Sequence, residues 1–151
     1  MGKTFLVAVD GSQQGWKAME LATTLAKTSD AELVLVHVVP REPVPEGIEK
    51  WAEMEGVSAE EARARIRMGR TLGDNITRDA ETRAKDAGLG RVSSRVAEGN
   101  VAKEIVDVAM DTEADMIFLG SRGLSDVQGL LLGSVAHKVL HLAPCTCVLV
   151  K

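Results

Sequence analysis

Four short apolar runs, spaced by longer segments with helical periodicity, limit what this 151-residue chain can fold into more than any other feature. Phe5-Leu6-Val7-Ala8-Val9 is almost continuously apolar, as expected of a strand covered on both faces. Leu33 to Val39, rich in β-branched residues and closed by Pro40, reads as a second central strand. Asp115 to Leu119 and Cys145 to Val150 supply two more. Val92 to Ala97 is shorter and more polar, which suits a sheet edge. Between the strands lie helical segments with local start signals. Ser12 precedes apolar positions at Trp16, Met19, Ala22 and Leu25. Ser58-Ala59-Glu60-Glu61 is a capping box opening a long helix to about Ala87, with Gly69 and Gly73 predicting a kink and Gly88 a C-terminal stop. Asn100 caps a helix bearing Val101, Ile105 and Val108, and a last helix from Ser134 puts Val135, Val139 and Leu142 on one face before Pro144 ends it. The order is β-α-β-α-β-α-β-α-β, which implies one domain over residues 1–151 with a parallel sheet and helices on both faces. Residues 40–57 interrupt it with three prolines and two glycines, a long excursion with a helical turn near Ile48 to Met54.

The most chemically suggestive stretch is Gly120-Ser121-Arg122-Gly123, nine further residues, then Gly133-Ser134-Val135. It lies where a buried strand gives way to a loop and then to a helix N-terminus. Such a place offers amide N–H groups outside the helical ladder and the positive end of a helix dipole, both suited to an anion. Ordinary turn glycines are the plainer reading. In an open parallel sheet ligands bind beyond the carboxyl ends of the strands, where strand order reverses. If the first and fourth strands are neighbours across that reversal, Asp10 and Gly120 share a crevice with Val38. Apolar walls, an acceptor for sugar hydroxyls and N–H groups for phosphates then converge, which is what a nucleotide requires.

Composition narrows the partner. Aromatic residues are 3% of the chain and net charge is −4, which disfavours base stacking and phosphodiester binding and so argues against nucleic acid. No apolar run approaches the roughly 20 residues that span a bilayer, and no signal-peptide pattern precedes the first strand, so no membrane insertion is expected. Gly2 stands at the myristoylation position, but its neighbours suit a strand. Cys145 and Cys147 are too close for a disulfide framework, and a reducing cytoplasm suits them.

Neither Gly-x4-Gly-Lys-Ser/Thr nor Gly-x-Gly-x-x-Gly after the first strand is present, so this is neither a P-loop nor a dinucleotide fingerprint. The spacing Gly120-x2-Gly123-x9-Gly133-Ser134 resembles the ATP-binding signature of the universal stress protein family. The resemblance covers the whole chain and includes Val7-Ala8-Val9-Asp10-Gly11-Ser12, His37-Val38, Ile117-Phe118-Leu119-Gly120 and Pro144 to Val150. It implies a five-stranded parallel sheet of order 3-2-1-4-5 with flavodoxin-like layering, the adenine nucleotide alpha-hydrolase-like arrangement. It also implies that ATP binds with Mg2+ or Mn2+ on its phosphates; separately, no acidic pair in the sequence resembles a dedicated metal clamp, so no metal site is expected of the residues themselves. By the same resemblance Asp10 faces ribose or adenine, Ala8 lies under the base among Val9, Gly11 and Ser12, and the Val38 backbone meets the adenine. Leu119 and Gly120 open the loop, Arg122 and Gly123 border ribose and phosphates, and Gly133, Ser134 and Val135 contact phosphate.

Plainer readings stand beside these. Asp10 would also close a turn with Gly11, Arg122 would serve as a solvated charge, and Ser134 would serve as a helix cap. His37 reads as a core histidine. His137 and His141 share a helix face at a spacing that suits zinc, but no third ligand is evident. Leu130-Leu131-Leu132 would anchor the loop or meet a partner. Val148-Leu149-Val150 forms an apolar sheet edge that invites pairing with its own copy, and relatives implied by the resemblance dimerise there. A phospho-acceptor receiver domain is excluded, since the third strand ends at Ala97-Glu98-Gly99 without the acceptor aspartate. The expectation is a cytoplasmic, homodimeric, ATP-binding regulator of a stress response, with a slow ATPase or self-phosphorylating enzyme as the alternative.

Overall fold

The computed structural model describes residues 2–40, 47–123 and 131–151. Strands β1 (Thr4–Ala8), β2 (Glu32–Pro40), β3 (Val92–Gly99), β4 (Met116–Gly120) and β5 (Thr146–Val150) form one parallel sheet in the order β3-β2-β1-β4-β5. Helices α1 (Gln13–Ser29), α2 (Ile48–Glu55), α3 (Ala59–Asp86), α4 (Val101–Asp111) and α5 (Ser134–Leu142) connect them. Alternation along each strand divides the core in two. Phe5, Val7, Leu33 and Leu35 pack with the alanines of α1 and with Ile76, Ala80 and Ala84 of α3. Leu6, Val34, Val36 and Ile117 pack with Ile105 and Ala109 of α4 and Val139 of α5. The Phe5 and Phe118 rings meet at 5.4 Å, tilted by 52°.

The caps read from sequence are made. Ser12 Oγ accepts from the Gly15 amide, Ser58 Oγ from Glu61 and Asn100 Oδ1 from Lys103, at 3.1 Å each. Ala143 is extended, as the residue before Pro144 must be, and α5 stops at Leu142. The excursion after β2 holds a full eight-residue helix, α2, rather than one turn.

α3 runs as one continuous helix through Gly69 and Gly73, where the sequence suggested a kink. Both glycines serve contact. A Cβ at Gly73 would lie 2.8 Å from His37 Cδ2 and 3.1 Å from Val96 Cγ1, and one at Gly69 would lie 2.9 Å from Val39 Cγ1. The helix backbone therefore lies directly on β2. Gly73→Ala gains about 1 kcal/mol of helix propensity but forces a ring and a β-branched side chain apart, costing about 1–3 kcal/mol. The expected net result is destabilisation by about 1 kcal/mol, read from chemical denaturation with an unchanged m-value. Added stability would show that α3 does not sit this tightly.

Candidate functional site

The site lies where β1, β2 and β4 end. A cavity of about 350 Å³ opens there, lined by Ala8, Val9, Asp10 and Ser12 after β1, by Val38 on β2, and by Leu119, Gly120, Arg122 and Gly123 after β4, with Val135 of α5. Ten of the thirteen nucleotide-contact residues expected from sequence thus surround one space. Ser134 lines an adjoining cavity of about 710 Å³, reached across Val135 and shared with Asn100 and Lys138. Gly11 and Gly133 line neither.

The reasons are local. Gly11 has φ +84°, a turn conformation, and its Cβ direction points to Ile76 of α3 rather than to the cavity. Gly133 is the N-cap of α5, and its N–H already donates to the Ser121 carbonyl at 2.6 Å. Ser134 is accordingly the first helical residue and not the cap. The first bond of the α5 ladder runs from the His137 amide to the Gly133 carbonyl. The amides of Ser134, Val135 and Ala136 stay outside that ladder and form the positive end of the helix dipole.

Asp10 is held in a fixed pose. Its Oδ1 accepts from the Ser12 amide at 2.8 Å, and no other described residue claims Oδ2. Gly15 makes this pose possible, because a Cβ there would lie 3.0 Å from Asp10 Oδ1 and 3.1 Å from Ser12 Oγ. Sequence reasoning missed Gly15; its signal was a glycine in the first turn of a helix just after an Asp-Gly-Ser turn. Val38 owes its place to strand parity. The Val9 amide donates to the Val36 carbonyl at 2.9 Å, and residues two apart in a parallel strand direct their backbone groups to the same neighbour. Val38 therefore aims its N–H and carbonyl at the β1 side, where pairing has ended at Ala8–Val36.

The loop after β4 is anchored at its base. Ser121, which the sequence left without a role, is 4% exposed; its amide donates to the Val150 carbonyl at 2.8 Å. Leu132 packs against the α4–α5 core while Leu131 faces outward. Leu130 lies outside the described residues. His37 is buried, and its Nδ1 donates to the Val9 carbonyl at 2.7 Å. His137 and His141 meet edge to face at 4.6 Å. Among the described residues no three His, Cys, Asp or Glu side chains gather to hold a metal. Burial pushes the thiols of Cys145 and Cys147 above their ordinary values, and the neighbouring Cys147 and Asp115 add to this at Cys145. Raised thiols are poor nucleophiles, and both side chains pack on the α4–α5 core. No helix among the described residues is long and apolar enough to cross a membrane.

Comparisons with known proteins agree with this architecture. The chain is 34% identical over 152 residues to a universal stress protein of Thermus aquaticus, covering 100% of both chains. It is 31% identical over 157 residues to universal stress protein YxiE of Bacillus subtilis (strain 168), again covering 100% of both. A universal stress protein solved in complex with cAMP superposes with a TM-score of 0.67 at 26% identity, over 99% of this chain and 96% of that one. The profile of the universal stress protein family matches residues 1–151, and the chain belongs to that family.

Proposed function

We propose that the cavity binds an adenine nucleotide, ATP in the working protein, with Mg2+ or Mn2+ carried on its phosphates. The observation that carries this reading is the convergence of Asp10, the Val38 backbone and the Gly120–Gly123 loop on one space beside the α5 N-terminus. A base fits between the apolar walls of Ala8, Val38 and Leu119, with Asp10 Oδ2 as the acceptor for a ribose hydroxyl. The phosphates run across Val135 to the amides of Ser134 and Val135, with Arg122 beside them. The relative solved with cAMP supports an adenine nucleotide as the ligand class. Occupancy then acts as a signal: Leu131, 79% exposed, lies just before Gly133 and α5, so a change there on binding would be displayed at the surface of a cytoplasmic regulator.

Heat-denaturing purified protein is expected to release adenine nucleotide, and calorimetry on emptied protein to show ATP binding. Asp10→Ala removes a charge-assisted hydrogen bond and should weaken that binding by about tenfold to a hundredfold. Emptied protein that binds neither ATP nor cAMP would end this reading. Binding of cAMP alone would retain the adenine site and remove the phosphate path.

A further inference from the structure

His37 is buried, chemically versatile and unused by the reading above. It is 9% exposed, lies on β2 immediately before Val38, and lines the same cavity. Its Nδ1 is 2.7 Å from the Val9 carbonyl. A carbonyl oxygen only accepts, so the proton of this bond resides on Nδ1. The β1–β2 ladder ends at Ala8–Val36, leaving the Val9 carbonyl just beyond the last registered pair. That carbonyl belongs to the peptide that leads into Asp10. On its far side the ring is backed by α3, where Gly73 leaves no room for a Cβ. The ring is thus wedged between a helix backbone and the end of β1.

We propose that His37 is a positioning residue of the nucleotide site: it holds the Val9 carbonyl and so sets the turn that presents Asp10. The chain of contacts is continuous. His37 fixes Val9, the next residue is Asp10, Asp10 Oδ1 accepts from the Ser12 amide, and Ser12 Oγ accepts from the Gly15 amide. Releasing the first link frees the Val9–Asp10 peptide to rotate, and Asp10 Oδ2 loses its aim. This inference rests on the nucleotide reading for its consequence, but the clamp itself does not depend on any ligand.

Two variants separate the clamp from bulk packing. His37→Leu fills similar space without a donor. His37→Asn places its amide nitrogen near the Nδ1 position and restores one. In ligand-free protein, nitrogen-15 spectra should show His37 protonated at Nδ1. Exchange of the Ser12 amide should speed up about tenfold in His37→Leu and stay near wild type in His37→Asn. In calorimetry with ATP, His37→Leu should weaken binding about tenfold and His37→Asn less than about threefold. In an Asp10→Ala background the loss from His37→Leu should shrink to below about twofold, because the histidine acts through that carboxylate. A proton on Nε2 instead of Nδ1, unchanged Ser12 exchange, or an equal loss in both backgrounds would overturn the proposal. Wild-type protein that binds no nucleotide would instead defeat the nucleotide reading, and the ligand-free spectra would still judge the clamp.

Discussion

Gly120→Ala is expected to lower unfolding free energy by about 2–3 kcal/mol, a fall in Tm of about 4–12 °C, and to abolish nucleotide binding. An added Cβ would stand 2.7 Å from Gln14 Cβ, 3.0 Å from the Gln14 carbonyl carbon and 3.1 Å from the Arg122 carbonyl oxygen. Two of these three atoms are backbone and the third is bonded to it, so no rotamer change relieves the contact. The first turn of α1 and the loop after β4 must move apart. That separation spreads the two walls of the cavity, which carry Asp10 and Ser12 on one side and Arg122 and Gly123 on the other. Gly90→Ala is the matched control: no atom lies within 4 Å of its added Cβ, and it should shift stability by less than about 0.5 kcal/mol. Thermal melting of the two variants beside wild type gives the comparison. A Gly120→Ala protein that melts with the control would mean that β4 and α1 do not meet this closely.

Leu149→Pro should weaken self-association about 5- to 150-fold. β5 lies at the end of the sheet and pairs only with β4 among the described strands. We propose that its other edge pairs with a second copy. Parity identifies the residue that matters. The Val150 carbonyl accepts from Ser121, so Val150 and Val148 direct their backbone groups to β4 and Leu149 directs its own outward. Proline at 149 removes an outward donor without breaking a β4 rung. An interface related by a two-fold axis loses that bond twice, costing about 1–3 kcal/mol, so dissociation should be favoured about 5- to 150-fold. A charge at Leu149 is a poorer test, because that side chain also packs on the α4–α5 core. Leu149→Ala is the better companion, since it loses the same packing and keeps the N–H. Sedimentation over a dilution series should give Leu149→Ala a dissociation constant near wild type and Leu149→Pro one about 5- to 150-fold higher. Wild-type monomer, or an unchanged dissociation constant in Leu149→Pro, would refute pairing through β5.

Much of the fold was legible because its signals are local. Ser12, Ser58 and Asn100 each bond an amide three residues on, so the sequence within one turn contains the whole interaction. The polar pattern of Val92 to Ala97 marked an edge strand, and β3 is one. The strand order came from resemblance to a family, since periodicity does not say which strands adjoin. What the sequence did not show is non-local. Gly69 and Gly73 weaken a helix within their own segment, and only the approach of β2 makes them contact points. The bond from the Gly133 amide to the Ser121 carbonyl spans the loop and is not legible from either end alone.

The sequence alone determined where strands and helices lie and that glycines and an acid gather near strand ends, because periodicity, capping and turn chemistry act over a few residues. Only the tertiary structure decided how those groups are aimed. The parity of β2 turns the Val38 backbone toward the crevice, and a glycine at 15 admits the Asp10 carboxylate to the start of α1. A ring wedged against α3 reaches the Val9 carbonyl from 28 residues away along the chain. Direction is set by contacts between segments far apart in sequence, and those exist only after the sheet has assembled.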